Sequence, residues 1–439
     1  PLFRSSVSDI NLSNTDFQGI PYFDGTFDGA NHTVRSFNID YKGSDYGFFR
    51  YLGENAYVCN FSVSGSVNTS GSQKNIGGIA GVNYGTITNC TFYGKVNGTT
   101  YVGAIAGINK PGANITNCLS DAVVTATNQT GGIAGKNEGL ISECVSRSRV
   151  NTDELASSLD VGGVDVGTFN ITQHVVDRND MGGIAGNSSG VISSCTNYGT
   201  IGYNHTGYNV GGIAGSQNGK ILNCTNEGDI YGRKDVGGIV GQVATEYDFD
   251  PEDDITLTGT ESFDVEQTIK AVIRDSRNYA DVTGKKDYVG GIVGKAEYGA
   301  VISCESYAPV ESTGGSYVGG VAGSASYAIR SCYSMGKITG KNNIGGIAGE
   351  GCDIFYSYAY NELDMSGESQ GSIAGKVKDD GTLYGNYYVE GGAGGVDGIG
   401  YQGGNPVVLS GILQQRRRAG SLFPVHYYFP GGWCRSGFL

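Results

Sequence analysis

The apolar positions of this chain recur with a long period. A five-residue word, Gly-Gly-Ile-Ala-Gly, fills residues 77–81, 131–135, 182–186, 211–215 and 345–349. Near copies stand at 103–107, 237–241, 290–294, 319–323 and 371–375. Their central aliphatics are Ile79, Ile105, Ile133, Ile184, Ile213, Ile239, Ile292, Val321, Ile347 and Ile373, spaced by 26 to 29 residues except for two gaps of 51 and 53. A turn rich in Asn and Gly follows each word, then an aliphatic residue, then usually a cysteine eleven residues after the central Ile. Cys90, Cys144, Cys195, Cys224 and Cys332 keep that offset, and Cys118 and Cys304 fall one or two later. Six residues beyond comes another aliphatic: Val96, Val124, Val150, Ile201, Ile230, Val310 or Ile338.

Self-similarity at such a period is the mark of a repeat architecture. The units are full of Gly, β-branched residues and turn dipeptides, which disfavour helix and favour short strands. Inward candidates are often three apart, as in Ile76 and Ile79 or Ile87 and Cys90. A flat strand alternates by two, so a step of three predicts a corner between two inward residues. The expected fold is therefore all-β, a single-stranded right-handed parallel β-helix (β-solenoid) of about 12 to 14 coils. The 51-residue gap contains a degenerate copy of the word at 161–167, expected to form a coil, and the 53-residue gap has no copy from about 245 to 278. Residues 45–50 read as a divergent first copy, with Phe48 eleven before Cys59.

Ten copies of this word resemble the GLUG-motif repeat proteins, over roughly residues 20–375. The stretch 23–34 followed by Gly47-Phe48-Phe49 resembles the lead-in to such arrays. The resemblance implies a bacterial extracellular β-solenoid, as found in surface adhesins and N-terminal to metallopeptidases of the IgA-protease type. It implies a location and an architecture rather than a reaction. The domain reading is a lead-in or cap with the first coils over 1–66, repeats over 67–375 with insertions near 151–180 and 245–278, a last degenerate coil over 376–408, and an atypical tail over 409–439.

Composition sharpens this picture in three places. Gly supplies 75 of 439 residues and Pro only 8, without a collagen period. The formal net charge is −14, which argues against nucleic acid and anionic membrane as partners. No apolar run is long enough for a membrane-spanning helix, so no membrane insertion is expected. Ten cysteines could suggest disulfides, but stacked equivalents point the same way, a poor geometry for pairing. Most are expected to be free thiols in an internal ladder, small hydrophobes rather than metal ligands. Cys352 breaks the pattern, since Tyr358 holds the ladder offset in its coil, and Cys434 lies in the tail.

No chemistry-bearing motif emerges. His32, His174, His205 and His426 form no H-E-x-x-H, and the P-loop pattern is absent. Ten phosphate loops in one chain make no sense, so the word glycines are expected to shape corners. Asp24 with Asp28, and Asp160 with Asp165, are pairs a glycan-processing site could use, but they read as solvated turn acids. The run 246–254 (EYDFDPEDD) lacks the EF-hand spacing and reads as a solvated loop. Residues 265–274 could project as a short helix or strand. Sequons at Asn31, Asn97, Asn128 and Asn204 follow from composition. The tail, with Arg416-Arg417-Arg418, Trp433 and no acid, reads as a mis-translated or truncated gene end, an extension, or a cap. The chain begins at Pro1, as an excised fragment would.

The expected function is thus a non-catalytic rigid stalk or adhesive surface of a cell-surface or secreted protein, with no cofactor and no metal. A host or matrix protein or a glycan is the expected partner, and the chain a monomeric rod within a larger protein. The alternative is the accessory stalk of a larger secreted metallopeptidase or glycan-processing enzyme. Segments outside the repeat, 153–180 and 245–278, are where specific binding is expected, because loops interrupting a solenoid commonly carry function.

Overall fold

The computed structural model describes residues 3–5, 8–69, 73–152, 178–203, 206–244, 271–364, 367–389, 394–396 and 404–407. These form an all-β, parallel β-solenoid of about 11 turns. Each central aliphatic of the word donates its backbone N–H to the carbonyl of its equivalent in the next coil. The chain of bonds runs Ile79 to Ile105, Ile105 to Ile133, Ile133 to Ile184, Ile184 to Ile213, Ile213 to Ile239, Ile239 to Ile292, Ile292 to Val321, Val321 to Ile347 and Ile347 to Ile373, at 2.8–3.0 Å. All ten side chains have no exposed surface. Burying one such side chain is worth about 1.5–3 kcal/mol, so the column is a principal source of stability.

That chain of bonds corrects the coil count. Ile133 and Ile184 bond directly, as do Ile239 and Ile292, so each long gap holds one coil and not two. Ala134–Asn137 pairs with Ala185–Ser188, and Val240–Val243 with Val293–Ala296. The copy at 161–167 lies outside the described residues, and no coil is interposed where it was expected. The second gap resumes the repeat earlier than 278: Val272–Arg274 pairs with Lys220–Leu222 and Ala300–Ile302, and Arg277–Asn278 with Thr225–Asn226 and Glu305–Ser306. Set aside residues 153–177, and 51 becomes the standard 26; set aside residues 245–270, and 53 becomes 27. Thr152 and Arg178 then fall where Ala126 and Thr127 fall in the coil before, and Ala244 and Ala271 where Tyr84 and Gly85 make a two-residue turn. Both segments are additions inside a single coil.

Two corners per coil are left-handed, and residues other than glycine hold them. One corner precedes the cysteine column: Asn60, Asn89, Asn117, Glu143, Ser194, Asn223, Asp275, Ser303, Ser331 and Tyr356, with φ of 50–55°. The other includes Asn75, Tyr101, Gln129, Asp180, Asn209, Asp235, Tyr288, Tyr317, Asn343 and Ser369, with φ of 51–68°. Asn and Asp tolerate this region best. Several corner side chains bridge coils, as Asn89 Nδ2 does to Asn60 Oδ1 (2.6 Å) and Asn209 Nδ2 to Asp180 Oδ1 (2.8 Å). The word glycines do not take positive φ. They are needed because coils approach closely there: a Cβ on Gly182 would lie 2.0 Å from the Ala185 carbonyl oxygen and 2.8 Å from Ala214 Cα.

The interior is banded along the axis. At the N-terminal end Phe27, Phe48, Phe49 and Phe61 pack with ring centroids 4.9–6.5 Å apart. Phe48 aligns with the central Ile as expected, since Phe49 pairs with Ala80. It is not the first rung, however: Ile20–Phe23 pairs with Phe49–Leu52 on the other side. Further on, buried Asn83, Asn109 and Asn137 form a ladder in which each Nδ2 donates to the next Oδ1, at 2.8 and 2.9 Å, and Asn137 then donates to Ser188 Oγ. Asn197, Asn226 and Asn278 form a second ladder on another wall, at 2.9 and 2.8 Å.

Candidate interaction surface

The strand that follows the corner at Asn89 and its equivalents carries its inward and outward residues alternately, and it presents the most distinctive chemistry of the molecule. Its first inward column is the cysteine ladder. Cys90, Cys118, Cys144, Cys195, Cys224, Cys304 and Cys332 are buried and free. Each thiol lies near the carbonyl two residues before it, at 3.2–3.4 Å, and near one in the preceding coil. Burial pushes the thiols of Cys90, Cys144, Cys224 and Cys304 well up, so they are poor nucleophiles.

Three rungs differ from the expectation. Cys59 is off the ladder, because Phe61 pairs with Cys90 and Cys59 with Thr88. In the coil of Cys352 the rung is Ser357, which bonds Cys332 N through its Oγ, while Tyr358 points outward beside Tyr333. Ser276 is the rung after Cys224, bonding its N–H at 3.1 Å. The ladder is a position for small side chains of modest polarity rather than a cysteine position.

The outward residues of the same strand change character along the rod. In the coils of Cys90 to Cys224 the outward residue beside the rung is Thr91, Leu119, Val145, Thr196 or Thr225. From Arg277 onward it is Arg277, Glu305, Tyr333, Tyr358 and Tyr387. Two residues on, Tyr279, Tyr307 and Tyr360 also face out. Tyr279 and Tyr307 stack with centroids 5.0 Å apart and planes at 5°; Tyr307 meets Tyr333 at 5.7 Å; Tyr358 and Tyr387 stack at 5.3 Å and 17°. Tyr307 donates to Glu305, and Arg277 lies 3.6 Å from the same carboxylate. Tyr356 and Tyr384 extend the strip at the adjoining corner, with centroids 5.5 Å apart, and Arg330 sits 5.4 Å over Phe355. Tyr279, Tyr356, Tyr360 and Tyr384 remain 37–60% exposed.

The acids singled out from sequence do not converge. Asp24 accepts from Asn55 N and Nδ2, and Asp28 from Ala30 N and Asn60 Nδ2, so each ties its turn to the neighbouring coil. The backbone bond from Ala30 holds Asp28 below its usual range. His32 sits at the surface with Nδ1 3.5 Å from Asp9, which also pairs with Arg35 at 2.9 Å. Asp160, Asp165, the run 246–254, residues 265–270, His174, His205, His426, Asn204 and the tail 409–439 lie outside the described residues. Among the described residues no three His, Cys, Asp or Glu are placed to hold a metal, and no helix is long and apolar enough to cross a membrane. A shallow groove of about 370 Å³ beside Glu311, Lys341 and Asp364 is open to solvent.

The sequence pointed to loops and missed the tyrosine strip. The signal was there in the 29 Tyr of the chain. It was hard to read because the strip moves from one outward column, at Tyr279 and Tyr307, to the neighbouring one, at Tyr333, Tyr358 and Tyr387.

Comparison with known proteins agrees with the repeat grammar. The family model for the GLUG motif matches residues 72–97 and 206–231. Over 86 residues, 19% of this chain, the sequence is 31% identical to halomucin of Haloquadratum walsbyi, and the match spans 1% of halomucin's length. A crystal structure of a candidate immunoglobulin A1 protease from Bacteroides ovatus aligns over 86% of this chain and 77% of its own, at 16% identity and a TM-score of 0.30, too loose a likeness to carry an argument. The chain is a β-solenoid in which two stretches match the GLUG motif.

Proposed function

We propose that this solenoid is a non-catalytic, extracellular module that acts as a rigid stalk or adhesive surface within a larger surface or secreted protein. The observation that carries the reading is the unbroken stack of coils. Successive rungs are tied by backbone bonds along the stack, by the buried aliphatic column, and over parts of it by Cys and Asn columns, so the molecule is a stiff rod roughly 50 Å long at strand spacing. Such a rod holds groups at a distance and offers a long flat side, whereas catalysis needs titratable groups converging on one point. A large negative charge keeps it soluble and repels polyanions.

An antibody raised against the repeats tests the location. Labelling of intact source cells, and release of the epitope by external protease, are expected. Labelling only after lysis would contradict the reading.

A further inference from the structure

We propose that the tyrosine strip from Tyr279 to Tyr387 binds an uncharged, extended polysaccharide lying along the solenoid axis. The inference deepens the reading of the rod as an adhesive module and rests on it.

Four observations select this occupant. First, the strip is long: Tyr279, Tyr307, Tyr333, Tyr358 and Tyr387 place at least one ring on each of five successive coils. The rings therefore repeat at about 4.8 Å, close to the length of one sugar unit in an extended chain. Second, tyrosine has an apolar face and a polar rim, as a pyranose ring does. Tyr279 and Tyr307 turn their faces to each other and offer their edges, whereas Tyr356, Tyr360 and Tyr384 keep 49%, 37% and 60% of their surface open. Third, the exposed aromatic area is on the order of 500 Å², short of the roughly 800 Å² per partner of a stable protein interface. A second copy of the rod or a globular partner would find too little surface there, while a thin chain needs no more. Fourth, the net charge of −14 disfavours anionic polymers, and the strip's own charges partly cancel, Arg277 against Glu305.

Outward side chains on a rod whose stability comes from its inward columns can be changed with little effect on folding. This separates binding from structure. Tyr279→Ser, Tyr307→Ser and Tyr358→Ser are combined in one variant, and Tyr384→Ser, at the most exposed ring, forms a second that keeps the test valid should the first misfold.

Native affinity gels cast with hydroxyethyl cellulose, xylan or galactomannan, and with alginate as the anionic control, read the interaction. At least one neutral polymer is expected to retard the parent protein. The triple variant should bind at least tenfold more weakly and Tyr384→Ser severalfold more weakly, while alginate leaves migration unchanged. No retardation by any neutral polymer, retardation by alginate alone, or binding by both variants equal to that of the parent protein overturns the proposal, as does a protein ligand captured through the strip in place of a glycan. Failure here with intact cells still labelled sinks the strip and leaves the stalk. Binding with labelling only after lysis does the reverse.

Discussion

The coils of Cys90 to Cys224 and the coils of Ser276 to Asn386 use one strand in two ways. Inward, the two halves are similar over most of their length: a buried rung of Cys or Ser, then Ser or Asn two residues on, with Phe92 in that place at one end, and Ala359, the Asn386 rung and Tyr388 at the other. Outward they differ. The first half shows Thr91, Leu119, Val145, Thr196 and Thr225, and the second shows Arg277 and a run of tyrosines that cover Glu305. The inward face is constrained in every coil by the same neighbours above and below. The outward face is free to vary and is where individuality has accumulated. Uniformity marks what holds this rod together, and departure from uniformity marks what it does.

The comparison can be broken most severely from inside. Ile213→Ala removes one link of the central column in the middle of the stack, where the coils cannot close over the gap. A loss of about 2–5 kcal/mol is expected in urea unfolding, and a loss below 1 kcal/mol would mean that the column is not the main support. Asn109→Ala leaves Asn83 Nδ2 and Asn137 Oδ1 without their ladder partner, at a cost of about 1–3 kcal/mol. Asn197→Ala should behave alike on the other wall.

Asp235 is a flaw in the inward pattern and sharpens it in the opposite direction. It occupies the left-handed corner that Asn209 and Asn343 hold in other coils. It is 7% exposed, and its Oδ1 has no hydrogen-bond partner. Burial raises its pKa to about 6 against the attraction of Lys234 and Lys295. Because the folded value lies above the unfolded 3.8, this residue's destabilising effect is absent below about pH 4. It grows as pH rises and is complete above pH 6. Asp235→Asn should therefore stabilise the rod at pH 7.5 by on the order of 1–3 kcal/mol and do nothing at pH 3.5. Thermal unfolding of both proteins at the two pH values checks this, and an equal shift at both would rule out the titration.

Smaller effects are expected at the thiols. Cys195→Ser places at one rung what Ser276 and Ser357 already supply at others, and should cost about 1 kcal/mol or less. The seven ladder thiols should also react with Ellman's reagent only on unfolding, because they are buried.

How much of this was legible in the chain follows from the same contrast. The coil length, the aliphatic column and most of the cysteine ladder repeat in register, so spacing alone revealed them. Cys59 and Tyr358 were misplaced by one or two positions, because a corner that shifts by a residue changes which side chain points inward, and only strand pairing shows the shift. The 161–167 sequence looks like a coil, yet Ile133 bonds Ile184 directly. Local resemblance to the word does not establish stacking. Glycine was rightly placed at corners but for an incomplete reason. Asn, Asp and Ser supply much of the left-handed backbone, and Gly182 and its equivalents supply closeness.

One continuous rod runs beneath both long gaps. Deleting residues 153–177 and 245–270 together tests it most directly, since Thr152 would join Arg178, and Ala244 would join Ala271, in turns that other coils already make. Small-angle scattering and urea unfolding of the full chain and the deletion variant give the answer. An unchanged rod length, an equal m-value and a stability within about 1 kcal/mol are predicted. A rod shortened by one or two coils, or a variant that fails to form the solenoid, would show that the gaps contain rungs of the stack and would contradict the claim.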